Sequence, residues 1–310
     1  MHRAPLPPHL ATGSFSLRAA DKAGLTRTRT AANDLVTVSR GIRVPLASAA
    51  AGAAALRAYT DLDDTSILAL GSAGRIWNVP LTGRHGADWR IHLSRRRGAS
   101  PPRRVNVVGH LLTLLPGEVV ECDGVRVTSP ARTFLDLASV LSLDELVAAG
   151  DSLVCAHGPE FPVPRQPLCT TADLRAVVAN HPRARGVRAA RAALELIRVG
   201  ADSQPETVMR LASVRAGLPE PELNYVLWGV HGAPVLWPDA AYVRGRIAVQ
   251  YDGAGHGGPE QYLRDIRREA VTREHGWLEV RVSKDELAGD RPAVVRKVRA
   301  ALESRGWRAG

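Results

Sequence analysis

Residues 239–256 read DAAYVRGRIAVQYDGAGH, and this stretch decides the fold of the C-terminal third. Asp239 follows a proline. A short basic turn (Arg244, Gly245, Arg246) leads into the apolar run Ile247-Ala248-Val249 and then Gln250-Tyr251-Asp252-Gly253. Side chains two apart on a strand share a face. Ile247, Val249 and Tyr251 therefore face a core, and Ala248, Gln250 and Asp252 face the other way. If the residues around Asp239 form the antiparallel partner strand, Asp239 reaches the corner where Gln250 and Asp252 lie. Oxygen ligands on adjacent strands, with His256 a few residues on, suit a hard divalent cation held against a phosphate.

The flanks are read in the same way. Ser203-Gln204-Pro205-Glu206 opens a helix through Arg215 as a capping box, in which Ser203 caps and Glu206 reaches back. A helix over 259–275 carries Arg264, Asp265, Arg267, Arg268 and Arg273, and Gly276 ends it. Arg264 and Arg268 are one turn apart, a spacing that faces phosphate or pairs along the helix. Leu278, Val280 and Val282 alternate as a buried strand. Ser283-Lys284-Asp285-Glu286 is a second capping box, expected to start a terminal helix through Leu302.

This ordered series resembles the actinobacterial very-short-patch-repair (Vsr)-like endonuclease domains of the PD-(D/E)XK superfamily. It runs through Pro205-Glu206, Gly217-Leu218-Pro219, Pro221, Asn224, Asp239, QYDG with His256, Asp265 with Arg268, and Gly276-Trp277 before Val280-Arg281-Val282. The resemblance implies a small mixed sheet flanked by helices, with acidic residues at one edge. It also implies catalytic positions at Asp239, Asp252, Gln250, His256 and Glu206, and Mg²⁺ or Mn²⁺ held by Asp239, Asp252, Glu206 and Gln250. Such an ion polarises the scissile phosphate and activates a water, which His256 positions or relays a proton for. Relatives usually carry Glu in place of Gln250 and often a histidine in place of Gly255. The ExK lysine position is Asp252.

The chain has 310 residues, room for two or three domains, and 45% apolar residues. Its net charge is +10, of which residues 203–310 hold +2 and residues 1–202 hold +8. The basic excess thus lies outside the nuclease-like region and favours a polyanion, nucleic acid first. The competing reading is an Arg- and Ala-rich composition with lysine only at Lys22, Lys284 and Lys297. Cys122, Cys155 and Cys169 are odd in number and spaced for neither a zinc site nor a disulfide framework, so buried thiols in a reducing cytoplasm are expected. MHRAPLPPHLATG lacks the apolar core of a signal peptide, and the run over 46–56 is too short to span a bilayer. A cytoplasmic protein with no membrane partner is expected.

Four regions are expected. Residues 1–55 outline a winged-helix-like module: a helix from Ser14 ended by Gly24, a second helix capped by Thr26, and a hairpin turning at Ser39-Arg40-Gly41. Arg27, Arg29, Arg40 and Arg43 are its phosphate-contact candidates, and a helical hairpin that only packs is the alternative. Residues 56–155 form a mixed α/β region, with a helix over 66–77, strands over 89–93, 105–108, 119–122 and 125–128, and a hairpin turn at Asp123-Gly124. Its phrase TSPARTFLDLA places Arg132 and Asp136 four apart for pairing, and His92 and His110 read as lone structural histidines. Both segments resemble AbiEi-like antitoxin-type proteins. Residues 156–202 read as a linker with bridging helices over 171–179 and 186–199, and residues 203–310 as the nuclease-like domain. The class is α/β (α+β). Two activities follow: a metal-dependent DNA endonuclease of defence or repair, or a catalytically degenerate DNA-binding, antitoxin-type regulator on a nuclease scaffold. DNA is the expected partner, with a cognate toxin, antitoxin or defence protein as a second.

Overall fold

Local sequence sets the N-terminal elements. In the computed structural model, residues 4–47, 52–63, 65–253, 259–289 and 293–309 are described, with side chains left aside at 259–265. Ser16 Oγ accepts from the Ala19 amide (3.0 Å) and caps the helix Leu17–Lys22; Thr26 Oγ1 accepts from Arg29 (3.1 Å) and caps Arg27–Thr30. Gly24 and Gly41 both sit at positive φ, the first closing the helix and the second turning the hairpin Leu35–Ser39 to Ile42–Pro45. Phe15–Ser16 adds a third antiparallel strand beside Ile42–Pro45. Leu10, Phe15, Ala20 and Leu35 form a small core beneath it.

The chain divides into two compact units, residues 1–140 with 176–187, and residues 141–175 with 188–310. The first unit also holds a five-stranded mixed sheet, in the order Val107–Leu112, Ile91–Arg96, Ile67–Leu68, Val125–Thr128, Val119–Cys122. Asp123 and Gly124 are both at positive φ, as the tight hairpin between the last two strands requires. The helix expected over 66–77 is shorter. Ile67 and Leu68 pair with Leu93, Ser94 and Val127 as a buried strand, and the helix runs Leu70–Ile76. Sheet pairing here outweighs helical spacing. The helix Pro130–Leu137 forms with the expected pair, Arg132 Nε donating to Asp136 at 2.9 Å. His92 and His110 are not lone: their rings stack at 5.2 Å, with nitrogens 3.0 Å apart.

The second unit is built round the helix Gln204–Arg215 and a three-stranded sheet. Ala240–Tyr242 runs antiparallel to Ile247–Asp252, and Leu278–Ser283 runs parallel to it, joined through the helix Pro259–Glu274. The expected core face is observed for Ile247 and Val249, while Tyr251 is half-buried and outside that cluster. Ile247 and Val249 join Ala240, Tyr242, Val280 and Val282 in one core with Val294, Val298 and Leu302 of the helix Ala293–Ser304. Ala248 and Ala241 lie in the opposite cluster with Trp277, Leu227 and Leu236. Each fully buried aliphatic side chain in these clusters contributes roughly 1.5–3 kcal/mol.

Three boundaries differ from expectation. The helix Leu143–Val154 belongs with this second unit rather than with the middle region, because Asp151 is buried against Arg210 of Gln204–Arg215 at 2.9 Å. Ser283 does not start the terminal helix. Glu286 accepts from the Ser283 amide (2.8 Å) over a single 3₁₀ turn, Asp285–Leu287, and the helix begins at Ala293. Ser203 does not accept an amide either; its hydroxyl donates to Glu206 (2.6 Å), whose other oxygen accepts from the Asp202 amide (2.8 Å). Among the described residues, no helix is long and apolar enough to cross a membrane.

Candidate functional site

Glu206 stands at the start of its helix and Asp239 just before the strand Ala240–Tyr242, and both line one cavity of about 220 Å³. Asp239 Oδ2 accepts from the Tyr251 amide at 2.6 Å, which fixes the two strands at this end. Glu206 is 8% exposed. Burial, then the nearby Asp239 charge, pushes the Glu206 carboxyl up to about 7. Burial likewise raises Asp239 to about 6, although the Tyr251 amide and the Arg268 charge work against it. These are like charges held together in a desolvated recess, an arrangement that shifts protonation into the working pH range.

The other expected ligands are placed differently. Gln250 is buried, and its side-chain nitrogen donates to the Trp237 carbonyl at 3.2 Å. Asp252 lies exposed at the end of its strand, in register with Ser283. Among the described residues, Asp239, Asp252 and Glu206 do not bring their ligand atoms within 4.8 Å of one another as a trio. His256 lies outside the described residues, as does the side chain of Arg264. Arg268 donates to Glu279 at 3.1 Å.

Three of the four N-terminal arginines are engaged locally. Arg29 makes a two-pronged pair with Asp34 (3.0 and 2.9 Å), Arg27 donates to Asp21 (2.7 Å), and Arg43 donates to the Thr30 carbonyl (2.7 Å). Arg40 is exposed on the hairpin turn.

The segment read as a linker forms the opposite wall of the cavity. His157, Phe161, Pro162 and Val163 line it, beside Gly200 and Asp202. Asn224 donates to the Ala156 carbonyl (2.7 Å) and Trp237 to the Glu160 carbonyl (2.9 Å), so this wall is pinned to residues 224–237. Cys155, His157 and Asp202 converge there, with ligand atoms all within 4.8 Å. Linear spacing could not show this, because Asp202 is far from the CAH tripeptide and only the fold closes the loop. The trio is not arranged as a nucleophile with its base. One nitrogen, His157 Nε2, faces both Cys155 Sγ (3.6 Å) and Asp202 (2.7 Å), whereas a relay needs both ring nitrogens. Burial, then the Asp202 charge, pushes the Cys155 thiol up to about 12.

Among known proteins, the chain is similar to two curated proteins of Mycobacterium tuberculosis, from strains CDC 1551 and H37Rv, both described as uncharacterized. Each is 31% identical over 166 residues, 53% of this chain and 57% of the relative. The chain thus matches little more than half the length of these relatives. No protein-family model and no solved structure matches it.

Proposed function

We propose that the second unit is a metal-dependent DNA endonuclease of the Vsr-like PD-(D/E)XK type, acting in defence or repair. The observation that carries this reading is the buried Glu206–Asp239 pair at one cavity, contributed by a helix and by the strand pair that the sequence places there. The order helix, strand hairpin, two strands, helix, parallel strand supports it.

The donor set fits a hard cation: Glu206 and Asp239 offer carboxylate oxygens, their mutual repulsion favours an added positive charge, and Gln250 offers a neutral amide. Mg²⁺ or Mn²⁺ would be held by Glu206 and Asp239, with the Gln250 carbonyl on the neighbouring strand, and would supply Lewis-acid stabilisation of phosphate charge when bound. Glu206 is held protonated up to about pH 7 by burial and by Asp239, so cation binding there would release its proton. Arg268 offsets negative charge near Asp239. The N-terminal hairpin with Arg40 supports DNA as the partner through backbone contacts; a cognate toxin, antitoxin or defence protein is the second partner class.

The second reading is a DNA-binding, antitoxin-type regulator that retains the nuclease scaffold without cleavage. It is favoured by the Gln250–Trp237 hydrogen bond and by Asp252 standing outside a ligand trio. Calorimetric titration with Mg²⁺ and Mn²⁺, run beside plasmid nicking for the wild type, Asp239→Ala and Asp252→Ala, separates the two. Binding and nicking lost together in Asp239→Ala are expected for the enzyme. A wild type that binds DNA but neither binds metal nor nicks would end the enzyme reading.

A further inference from the structure

We propose that Cys155, His157 and Asp202 form a binding site for a zinc-class divalent cation, separate in its ligands from the Glu206–Asp239 pair. A thiolate, an imidazole and a carboxylate form a donor set suited to a borderline-soft ion, unlike the all-oxygen set beside it. A tetrahedral zinc site with metal–sulfur near 2.3 Å and metal–nitrogen or metal–oxygen near 2.0–2.1 Å has edges of roughly 3.3–3.6 Å. Here Cys155 Sγ lies 3.6 Å from His157 Nε2 and 3.3 Å from Asp202 Oδ1. His157 Nε2 and Asp202 Oδ2 are 2.7 Å apart, a hydrogen bond that opens slightly as the ion replaces its proton.

Three further observations point to a ligand. The His157 side chain is buried, and its Nδ1 has no hydrogen-bond partner, so the ring is oriented by stacking on Phe161 at 4.5 Å. Stacking, rather than a bond at Nδ1, thus presents Nε2 to the thiol and the carboxylate, and a cation there would take the place of the shared proton. Arg165 donates to Asp202 Oδ1 at 3.0 Å and to the Ser152 carbonyl at 2.9 Å, which fixes the carboxylate as an outer partner does in metal sites. Asp202 is half-exposed at the cavity rim, giving an entry path, and the cavity leaves the fourth position to water. The ion would also tie the wall at residues 155–163 to the start of the helix Gln204–Arg215.

The test uses the full chain, with zinc stoichiometry by elemental analysis after dialysis and cobalt(II) as a spectroscopic substitute. One zinc per chain and a thiolate-to-cobalt charge-transfer band are expected. Cys155→Ser should abolish the band, His157→Gln should weaken zinc binding by at least ~100-fold, and Cys169→Ser should change neither. Because Asp202 is half-exposed, Asp202→Asn keeps the test decisive if Cys155→Ser fails to fold; its affinity should fall at least ~10-fold. A wild type with no bound zinc and no thiolate band, or a band that persists in Cys155→Ser, would overturn the proposal. These readouts involve no DNA cleavage, so they stand or fall apart from the endonuclease reading.

Discussion

Replacing Glu206 by glutamine tests the electrostatics of the cavity directly. The Glu206 carboxyl titrates at about 7 in the folded chain, against an ordinary value of 4.5. Between those values the folded state holds more protons than the unfolded state, so stability falls as pH rises, and the penalty is complete above about 7. The gap corresponds to about 3 kcal/mol, of which about 2.5 kcal/mol accrues between pH 5 and pH 8. Asp239, raised from 3.8 to about 6, adds a slope of the same sign at lower pH. The substituted amide keeps one oxygen acceptor but cannot accept from both the Asp202 amide and the Ser203 hydroxyl, a loss of about 1 kcal/mol. Glu206→Gln should therefore unfold at higher urea than the wild type at pH 8 in chelator, with a net gain of about 2 kcal/mol, and should be nearly neutral at pH 5.

The assay is urea denaturation followed by tryptophan fluorescence, because Trp237 is pinned to the cavity wall. A saturating divalent cation gives a second measure. At 100 times its Kd it stabilises the wild type by about 2.7 kcal/mol, and it should do much less for the variant. If Glu206→Gln keeps the wild-type pH slope between pH 5 and pH 8, Glu206 does not carry the raised protonation range that burial and Asp239 give it.

Other substitutions address the remaining elements. Arg210→Met removes a fully buried guanidinium that holds Asp151 and the Leu196 carbonyl, and should cost about 3–5 kcal/mol in urea melts; adding Asp151→Leu should recover much of it. Gln250→Glu adds a carboxylate beside Asp239 and should raise Mg²⁺ affinity about tenfold by calorimetry, at the cost of the donor to the Trp237 carbonyl. Arg40→Ala should lower DNA affinity evenly across sequences and reduce the salt dependence of log K by about one, read by fluorescence anisotropy. Arg29→Ala should instead lower the thermal stability of the N-terminal module, since its guanidinium is 9% exposed and paired with Asp34.

Local signals were the readable part of this chain. Thr26 caps its helix because its hydroxyl reaches an amide three residues on, a relation visible in linear sequence, whereas the helix expected from Ser14 starts at Leu17 because Phe15 and Ser16 pair as a strand with Arg43 and Ile42. Alternation in Ile247–Asp252 separated Ile247 and Val249 from Ala248, and the fold buries the two sets in different clusters. Long-range pairings were hidden. Ile67 and Leu68 read as helical until strands some 25 and 60 residues away claimed them. The region expected as a linker became a cavity wall because Asn224 and Trp237 hydrogen-bond to its backbone carbonyls, and no side-chain pattern announces a carbonyl acceptor. His157 gave no signal for the same reason: its partner Asp202 lies 45 residues further on.

Asp202 bears on the electrostatics of Glu206 and Asp239. The strand side of this cavity carries the neutral Gln250 beside Asp239. Asp202 stands just before the helix Gln204–Arg215 and lines the same cavity as Glu206 and Asp239. Its charge raises the protonation range of both carboxyls. The third carboxylate at this cavity is thus one already committed to His157, Cys155 and Arg165. Neutralising the Cys155–His157–Asp202 cluster with a bound cation would cancel that contribution and lower the protonation range of Glu206. If the Cys155 cluster binds a cation as proposed, the pH dependence of Glu206 should shift downward on loading, read as the urea midpoint against pH with and without zinc.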